Sequence, residues 1–292
     1  MSDPAYDPTF HDPDVGVCFI HGILRRSGTN YLFRLLQAHP ETSGPGPIWE
    51  DYLLHHSGPI RDFVDSTYDR WKEHWGVDEK VGPKSELQRY LGNSLRAFLK
   101  RQLTESTGSK GRPPEGQRET KILLTKTPTV QGIGGFFDLF PEDYLIVLVR
   151  DGRAVVESGV RSFGWKYESA IRSWAKGAQE ILRVSSEFQQ EHTRFLLVRY
   201  EDVYMDERGY LEKISSFLGL DPTLCRYDRL DRIRVLGSSD LMNTDGVIHW
   251  KGVKRTRDFD PISRFSSWDR KKHALFNRIA GGYMEQLGYE LV

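Results

Sequence analysis

The sequence has few cysteines, no net charge and no long hydrophobic run. Its two cysteines, Cys18 and Cys225, are far apart in a chain of 292 residues, which argues against a disulfide framework and against a cysteine-rich metal site. The 41 basic side chains balance the 41 acidic ones, so neither a general polyanion-binding surface nor a nucleic-acid partner is expected. Any basic site must therefore be local.

The sequence also lacks the features of an exported or membrane-spanning chain. Its start, MSDPAYDPTFHDPDVG, is acidic and proline-rich, without the basic and apolar parts of a signal peptide. No later segment offers the roughly 18 uninterrupted apolar residues of a membrane span. We therefore expect a cytoplasmic protein with a flexible tail over residues 1–14 and a single domain over residues 15–292.

Short apolar runs alternate with helical patterns. A β-branched run over residues 15–20 precedes a glycine-containing turn, and the runs KILLTKTP, YLIVLVRDGR and RFLLVRYEDV follow later. Helical spacing follows the first run, and residues 154–188 also have helical character. This alternation predicts an α/β fold with a central, mostly parallel sheet flanked by helices, whose ligands bind beyond the carboxyl ends of the strands.

Two regions between the predicted strands have distinct compositions. Residues 48–100 are rich in tryptophan and tyrosine and have a mainly helical pattern. Residues 104–120, TESTGSKGRPPEGQRET, carry glycine, proline, serine and charge without periodicity. The second region is therefore predicted to be a mobile surface loop.

The turn after the first strand, GILRRSGTNYL, has the composition of an anion site. A strand, a tight turn and a helix N-terminus present backbone N–H groups to an anion. Gly28 permits close approach, and Ser27 and Thr29 offer hydroxyls. Arg26 adds a charged fork. The triphosphate motif G-x-x-x-x-G-K-[ST] does not fit, because five residues separate Gly22 from Gly28 and no lysine follows. An ordinary capped helix start is the simpler alternative.

A second basic motif, VRDGRAVVESG, follows the most hydrophobic strand. Arg150 ends that strand, and Ser158 lies about two helical turns further on, so both can close on one phosphate. Two anion sites on neighbouring strands suit a nucleotide with phosphates at both ends of its ribose. Salt bridges of Arg150 and Arg153 at an ordinary helix start are the alternative.

These stretches resemble the motifs of sulfotransferases. RRSGTNYLFRLLQAHP looks like their 5′-phosphosulfate loop and VRDGRAVVESG like their 3′-phosphate element. VRYEDV with ISSFLGL, and then SSWDRKKHALFNRIAGGYMEQLGY, follow in the family's order, so the motifs span residues 17–289. The pattern is most similar to Golgi-type, tyrosylprotein and bacterial enzymes. The resemblance implies a P-loop-NTPase-like three-layer fold and the donor 3′-phosphoadenosine 5′-phosphosulfate (PAPS), without a metal.

The resemblance also implies how the donor is held. The turn would hold the 5′-phosphosulfate, Arg150 and Ser158 the 3′-phosphate, and Tyr200 the adenine. The basic stretch HWKGVKRTR is expected to close over the 3′-phosphate, with a solvated loop as an equal alternative. The predicted donor-binding residues are Arg26, Ser27, Gly28, Thr29, Asn30, Arg150, Ser158, Tyr200, Lys251, Lys254 and Arg255.

For the transfer step, the resemblance implies two cations and one base. Lys126 in LLTKTP matches the family's strand-end lysine and would stabilise the leaving phosphate together with Arg26. The cytosolic enzymes carry a histidine two residues after that lysine, where this chain has Pro128. Tyrosylprotein sulfotransferases use a glutamate after the first helix, and Glu50 is the best match. The rivals for the base are Asp51, His55, His56, His21 and His249.

The predicted function is transfer of a sulfuryl group from PAPS to a hydroxyl, or as a second choice an amine, of a small molecule or glycan. Aromatic residues within 48–100 and 163–175 are expected to form the acceptor pocket. A P-loop kinase using ATP and a non-catalytic nucleotide-binding module are the alternatives. The acceptor and the oligomeric state are left open by the sequence.

Overall fold

The structure, a computed structural model, describes residues 15–44, 48–75, 82–105, 118–236, 252, 254–256 and 259–292. The predicted tail, most of the predicted loop over residues 104–120, and two predicted site residues, Lys251 and His249, lie outside the described residues. The α-helices in these ranges are α1 (Thr29–Leu36), α2 (Gly58–Trp75), α3 (Lys84–Glu105), α4 (Phe136–Leu139), α5 (Gly152–Phe163), α6 (Tyr167–Glu191), α7 (Tyr200–Met205), α8 (Glu207–Phe217) and α9 (Arg270–Gln286).

The strands of the described residues form one parallel sheet. They are β1 (Gly16–Gly22), β2 (Thr42–Ser43), β3 (Ile122–Thr127), β4 (Tyr144–Val149) and β5 (Phe195–Arg199). Their order across the sheet is β2–β3–β1–β4–β5, and each neighbouring pair is parallel. β1 is central, with Ile20 opposite both Lys126 of β3 and Ile146 of β4.

Both faces of the sheet are buried under helices. Val17 and Phe19 of β1 pack into a cluster with side chains of α3, α4, α5, α6 and α9. Cys18 and Ile20 point to the other face and pack with side chains of α1 and α8. Because alternate residues of a strand face opposite sides, nearly continuous apolar strands of this kind need cover on both sides. The predicted three-layer α/β fold is confirmed.

Local capping explains where several helices begin and end. Asp151, Asp206 and Asp269 accept hydrogen bonds from backbone amides at the starts of α5, α8 and α9. The helical pattern over residues 154–188 is interrupted at Gly164, which has φ +66° and ends α5. None of the helices in the described ranges is both long and apolar enough to cross a bilayer.

The parallel order brings the carboxyl ends of the strands to one edge of the sheet. The turn preceding α1 follows β1, Lys126 lies near the end of β3, and Arg150 follows β4 directly. Tyr200 follows β5 and begins α7. Chain segments that are more than a hundred residues apart therefore meet in one place, as expected for a ligand site in such a sheet.

Candidate active site

The turn between β1 and α1 is built from backbone in the left-handed region. Arg26 has φ +79° and Gly28 has φ +98°. The amide and the hydroxyl of Ser27 both donate to the Leu24 carbonyl oxygen, at 3.1 and 2.7 Å, so this serine stabilises the turn itself. No side chain of the described residues caps the start of α1. Its first amides lack intrahelical acceptors and, with the helix dipole, can bind an anion.

Three arginines meet around Ser158, and we call Arg26, Arg150, Arg264 and this serine the arginine cluster. Ser158 Oγ accepts hydrogen bonds from Arg26 Nε at 3.0 Å and from Arg264 Nη1 at 3.3 Å. Arg150 Nη1 donates to the Arg26 carbonyl oxygen at 2.7 Å. Arg150 and Arg264 are buried. Positive charge concentrated in a poorly solvated place favours a multiply charged anion such as a phosphate.

The cluster is held by contacts between α5, α6 and the segment before α9. Trp174 Nε1 donates to the Arg150 carbonyl oxygen at 3.2 Å, and the Arg150 side chain donates to the Pro261 carbonyl oxygen. Glu157, which precedes Ser158, accepts from Trp268 Nε1 at 2.7 Å. Two contacts, one to Arg150 and one to Glu157 of α5, therefore hold the segment over residues 261–268 in place, and Arg264 of this segment contacts Ser158.

Tyr200 forms an aromatic floor beside the cluster. The guanidinium of Arg150 lies over the Tyr200 ring, 4.4 Å from its centroid, a cation–π arrangement. Burial raises the pKa of Tyr200 to about 12, although the neighbouring Arg150 and Arg264 oppose this shift. The phenol is therefore neutral at physiological pH.

A second group of side chains, which we call the aromatic wall, consists of Tyr31, Tyr204, Glu207 and Arg255. Glu207 Oε1 accepts from Tyr31 Oη at 2.6 Å and from Arg255 Nη2 at 2.7 Å. The Arg255 guanidinium lies 5.3 Å from the Tyr204 ring centroid, and the ring of Tyr204 is stacked with that of Tyr200 at 6.1 Å. The charge of Arg255 is thus paired with a carboxylate, and the wall presents flat, apolar faces.

Lys126 and Glu50 form an ion pair at the end of β3. Lys126 Nζ lies 3.1 Å from Glu50 Oε1, and Tyr52 Oη donates to Glu50 Oε2 at 2.9 Å. The Lys126 side chain is 2% exposed and that of Glu50 33%. Burial lowers the pKa of Lys126, and the adjacent Glu50 carboxylate opposes this shift. Both oxygens of the carboxylate are therefore engaged.

The segment that carries Glu50 is fixed to β3 on either side of the ion pair. Thr125 Oγ1 donates to Asp51 Oδ2 at 2.7 Å, and the Tyr52 amide donates to Thr127 Oγ1 at 3.1 Å. Tyr52 has φ +51°, a conformation that non-glycine residues rarely adopt. These contacts hold Asp51 in a structural role and orient its neighbour.

A cavity of about 270 Å³ lies among these groups. The predicted site residues that line it are Arg26, Gly28, Thr29, Asn30, Glu50, Arg150, Tyr200 and Arg255. Lys126 and Ser158 are buried just behind this lining, where they contact Glu50 and Arg26. Lys254 is exposed and is not part of the lining.

The rivals for the base are placed differently from Glu50. His21 is fully buried, with Nδ1 2.8 Å from the Thr129 carbonyl oxygen, and burial lowers its pKa. His55 is half-buried and its pKa is also lowered by burial, whereas His56 is exposed. Among the candidate bases that the structure describes, Glu50 alone lines the cavity.

The comparison with known proteins shows to which family the chain belongs. A model of the sulfotransferase family matches residues 18–223, which is more than half of the chain. The chain belongs to the sulfotransferase family. The matched region contains the turn, the Lys126–Glu50 pair and Ser158, and the match ends before the segment that supplies Arg264.

Individual members of the sulfotransferase family are only distantly similar to this chain. Protein-tyrosine sulfotransferase A of Caenorhabditis elegans is 23% identical over 272 residues, which are 86% of this chain and 64% of that protein. A Caenorhabditis briggsae relative is 24% identical over 207 residues, which are 69% of this chain and 65% of that protein. The chain thus spans slightly less than two thirds of the length of these relatives.

The fold is also that of a solved family member. The sulfotransferase domain from the Synechococcus PCC 7002 olefin synthase superposes with a TM-score of 0.53 at 21% identity, and the superposition covers 99% of this chain and 100% of that domain. In the described part of the chain, no three His, Cys, Asp or Glu side chains are grouped as a potential metal site.

For this member of the sulfotransferase family, sequence reasoning missed several residues of the cavity. Arg264 is the single charged residue of the stretch PISRFSSW, and no local pattern in that stretch marks it as a site residue. Tyr31 belongs to the turn motif GILRRSGTNYL, and its position two residues after the first residue of α1 is a usable signal. The remaining missed lining residues include Arg25, Tyr204 and Phe259.

Proposed function

We propose that this chain transfers a sulfuryl group from PAPS to a hydroxyl of a small molecule or glycan, with an amine as the second choice of acceptor. The observation that carries the proposal is that one cavity contains two places suited to an anion, the uncapped start of α1 and the arginine cluster. PAPS carries a phosphosulfate at the 5′ end and a phosphate at the 3′ position of its ribose. ATP carries its phosphates at one end only and would leave the arginine cluster unused.

The arginine cluster is our proposed site for the 3′-phosphate. Ser158 and Arg150 were expected there, and the contact of Arg264 with Ser158 adds a residue. The Arg26 guanidinium, expected at the 5′-phosphosulfate, donates to Ser158 instead, and we therefore assign it to the 3′ side. The 5′-phosphosulfate is then left to the start of α1, where Gly28, Thr29 and Asn30 line the cavity.

The aromatic wall and Tyr200 are our proposed site for the adenine. Their ring faces suit stacking on a flat base. Arg255 was expected to contact the 3′-phosphate, but its pairing with Glu207 neutralises it, so we assign it to the wall. Lys254 is exposed, and we therefore do not assign it a contact with the donor.

Lys126 and Glu50 are our proposed catalytic residues. In sulfuryl transfer, the acceptor oxygen forms a bond to sulfur while the bond from sulfur to the 5′-phosphate oxygen breaks. The acceptor loses a proton, and the leaving phosphate gains negative charge. A carboxylate facing the cavity can take the proton, and an ammonium group can stabilise the phosphate. Positioning and charge dominate in the related phosphoryl transfer.

The acceptor class follows from the proposed base. A carboxylate base suits a hydroxyl, and a phenol gives up its proton more readily than an aliphatic alcohol. The C. elegans relative is named for protein tyrosine, whose side chain is a phenol. We therefore place phenolic hydroxyls first among the acceptors to be tried, with sugar hydroxyls and amines after them.

Calorimetry on the whole chain tests the donor. We expect adenosine 3′,5′-bisphosphate, the product of PAPS, to bind more tightly than ATP with Mg²⁺. A preference for ATP with Mg²⁺ would favour a kinase and reject the proposal.

Transfer of labelled sulfate from PAPS to phenols, sugars and amines separates an enzyme from a non-catalytic binding module. We expect Glu50→Gln and Lys126→Ala each to lower the rate at least about tenfold to a hundredfold, while bisphosphate binding persists. Bisphosphate binding without transfer to any acceptor would favour the binding module. Full activity in Glu50→Gln would reject the assigned base.

A further inference from the structure

The two proposed catalytic residues contact each other, and only one of them faces the cavity. Lys126 Nζ is 3.1 Å from Glu50 Oε1, and the lysine is buried behind the carboxylate. Glu50 lines the cavity and is one-third exposed. In this arrangement the ammonium group is paired with the carboxylate, and a phosphate bound in the cavity would compete with Glu50 for it.

The pair also restrains the base. A charge-assisted hydrogen bond from an ammonium group holds a carboxylate oxygen in one orientation, directed at its donor. Glu50 accepts from Lys126 on one oxygen and from Tyr52 on the other. The oxygen that loses its donor becomes available to accept a hydrogen bond from an acceptor hydroxyl in the cavity.

The backbone around Glu50 determines which donor moves. Asp51 and Tyr52 are hydrogen-bonded to Thr125 and Thr127 of β3. The Tyr52 ring therefore sits on the same fixed segment as the carboxylate to which it donates. Lys126 reaches Glu50 with a long, flexible side chain whose ammonium group can turn without any change in the backbone. The lysine is therefore the donor that is free to leave.

We propose that Lys126 exchanges partners during turnover, from the Glu50 carboxylate to the 5′-phosphate of the donor, while Tyr52 keeps the carboxylate in place. This inference rests on the proposed function. The donor's phosphosulfate attracts the ammonium group, and its departure frees Glu50 Oε1. Glu50 takes the acceptor's proton as the acceptor oxygen bonds to sulfur, and the breaking sulfur–oxygen bond leaves its electron pair on the 5′-phosphate, next to Lys126. The base is thus released when the donor binds.

The exchange makes Glu50 a competitor of the nucleotide for Lys126. A ligand that must first displace an internal partner binds with reduced apparent affinity. Removing the competitor should tighten nucleotide binding although it abolishes the base. We expect Glu50→Gln to bind adenosine 3′,5′-bisphosphate about 3- to 10-fold more tightly than the wild type.

Two matched variants separate the effect of the contact between Glu50 and Lys126 from the effect of the negative charge on nucleotide binding. Glu50→Asp keeps the negative charge but shortens the side chain by one methylene, and we expect it also to tighten binding. Asp51→Asn removes a negative charge one residue away, where the carboxylate bonds Thr125 rather than Lys126, and we expect less than about a twofold change. Equal tightening in Asp51→Asn and Glu50→Gln would assign the effect to net charge and overturn the exchange.

A double-mutant cycle completes the test. In a Lys126→Met background there is no ammonium group to compete for, so Glu50→Gln should leave the dissociation constant of the bisphosphate unchanged. The exchange would be overturned if Glu50→Gln still tightened bisphosphate binding in that background, or if Glu50→Gln alone did not tighten it. The proposed function would stand in either case, provided that the wild type binds the bisphosphate and transfers sulfate. Failure of the wild type to bind the bisphosphate would overturn both.

Discussion

Gly28 lies directly against the ring of Tyr200, so closely that a Cβ atom at this position would come 2.4 Å from the ring. The contact joins the turn after β1 to the residue that follows β5, although the two residues are 172 positions apart in the sequence. Gly28 also has φ +98°, which disfavours any side chain. Two independent constraints, the backbone conformation and the contact with Tyr200, therefore select glycine immediately before α1. Both also fix the wall of the cavity at this point.

Gly28→Ala should weaken both folding and nucleotide binding. The strained backbone and the displaced Tyr200 ring are expected to lower the free energy of unfolding by about 1–3 kcal/mol. They should also raise the dissociation constant of adenosine 3′,5′-bisphosphate at least about tenfold. Gly164→Ala is the matched control, because Gly164 has φ +66° but open space around it. Equal effects of the two substitutions on binding would contradict the role of the contact.

Arg264→Ala tests the composition of the arginine cluster. We expect the dissociation constant of adenosine 3′,5′-bisphosphate to rise about tenfold to a hundredfold, because a charge-assisted contact to the phosphate is lost. Adenosine 5′-phosphate, which lacks the 3′-phosphate, should bind as it does to the wild type. Lys254→Ala removes an exposed charge nearby and should change neither value. A parallel loss for both nucleotides would place Arg264 outside the 3′-phosphate site.

The sheet was predictable because its strands carry strong local signals. β1, β3, β4 and β5 each contain a short apolar run, and their alternation with helices implies parallel pairing. β2 consists only of Thr42–Ser43 and has no such run. The residues at the carboxyl edge could therefore be named before their geometry was known.

The pairings inside the site were not predictable, because each joins segments that are distant along the chain. Arg264 and Ser158 are 106 positions apart, and Lys126 and Glu50 are 76 apart. Nothing in the sequence near Arg255 indicates that Glu207 neutralises it. A motif gives the type and spacing of side chains within one segment, whereas the direction in which each points depends on the packing of the others.

Arg96→Met tests a buried ion pair near the amino ends of β1 and β4, at the opposite edge of the sheet from the cavity. Asp143 is fully buried and accepts from Arg96 Nε at 2.8 Å and from the Val17 amide at 3.1 Å. Burial raises the pKa of Asp143, and Arg96 opposes this shift. Loss of the arginine removes the cation that is hydrogen-bonded to this buried carboxylate and leaves only the charge of Lys100 to oppose burial, so the free energy of unfolding should fall by about 3 kcal/mol in urea titrations. Arg89→Met, on the exposed face of the same helix, should have little effect.

Glu157→Gln should show a stability change that depends on pH. Trp268, Tyr167 and Arg161 donate to the Glu157 carboxylate at 2.6–2.7 Å. Burial raises the pKa of Glu157, but these three hydrogen bonds outweigh it, and the pKa lies below its ordinary value of 4.5. A carboxyl group with a lowered folded pKa stabilises the protein above its unfolded pKa and loses that contribution as the pH falls through the folded value.

At pH 7 the substitution should therefore lower the free energy of unfolding by about 1–3 kcal/mol. Urea titrations at decreasing pH should show this difference shrinking below about pH 4, because the wild-type carboxyl group is then becoming protonated as well. Glu168→Gln is the control, since Glu168 makes a comparable pair with Arg172 four residues later in full contact with water. A difference for Glu157→Gln that stays constant from pH 7 to pH 3 would mean that the shape of the side chain, rather than its charge, holds the segment before α9 against α5.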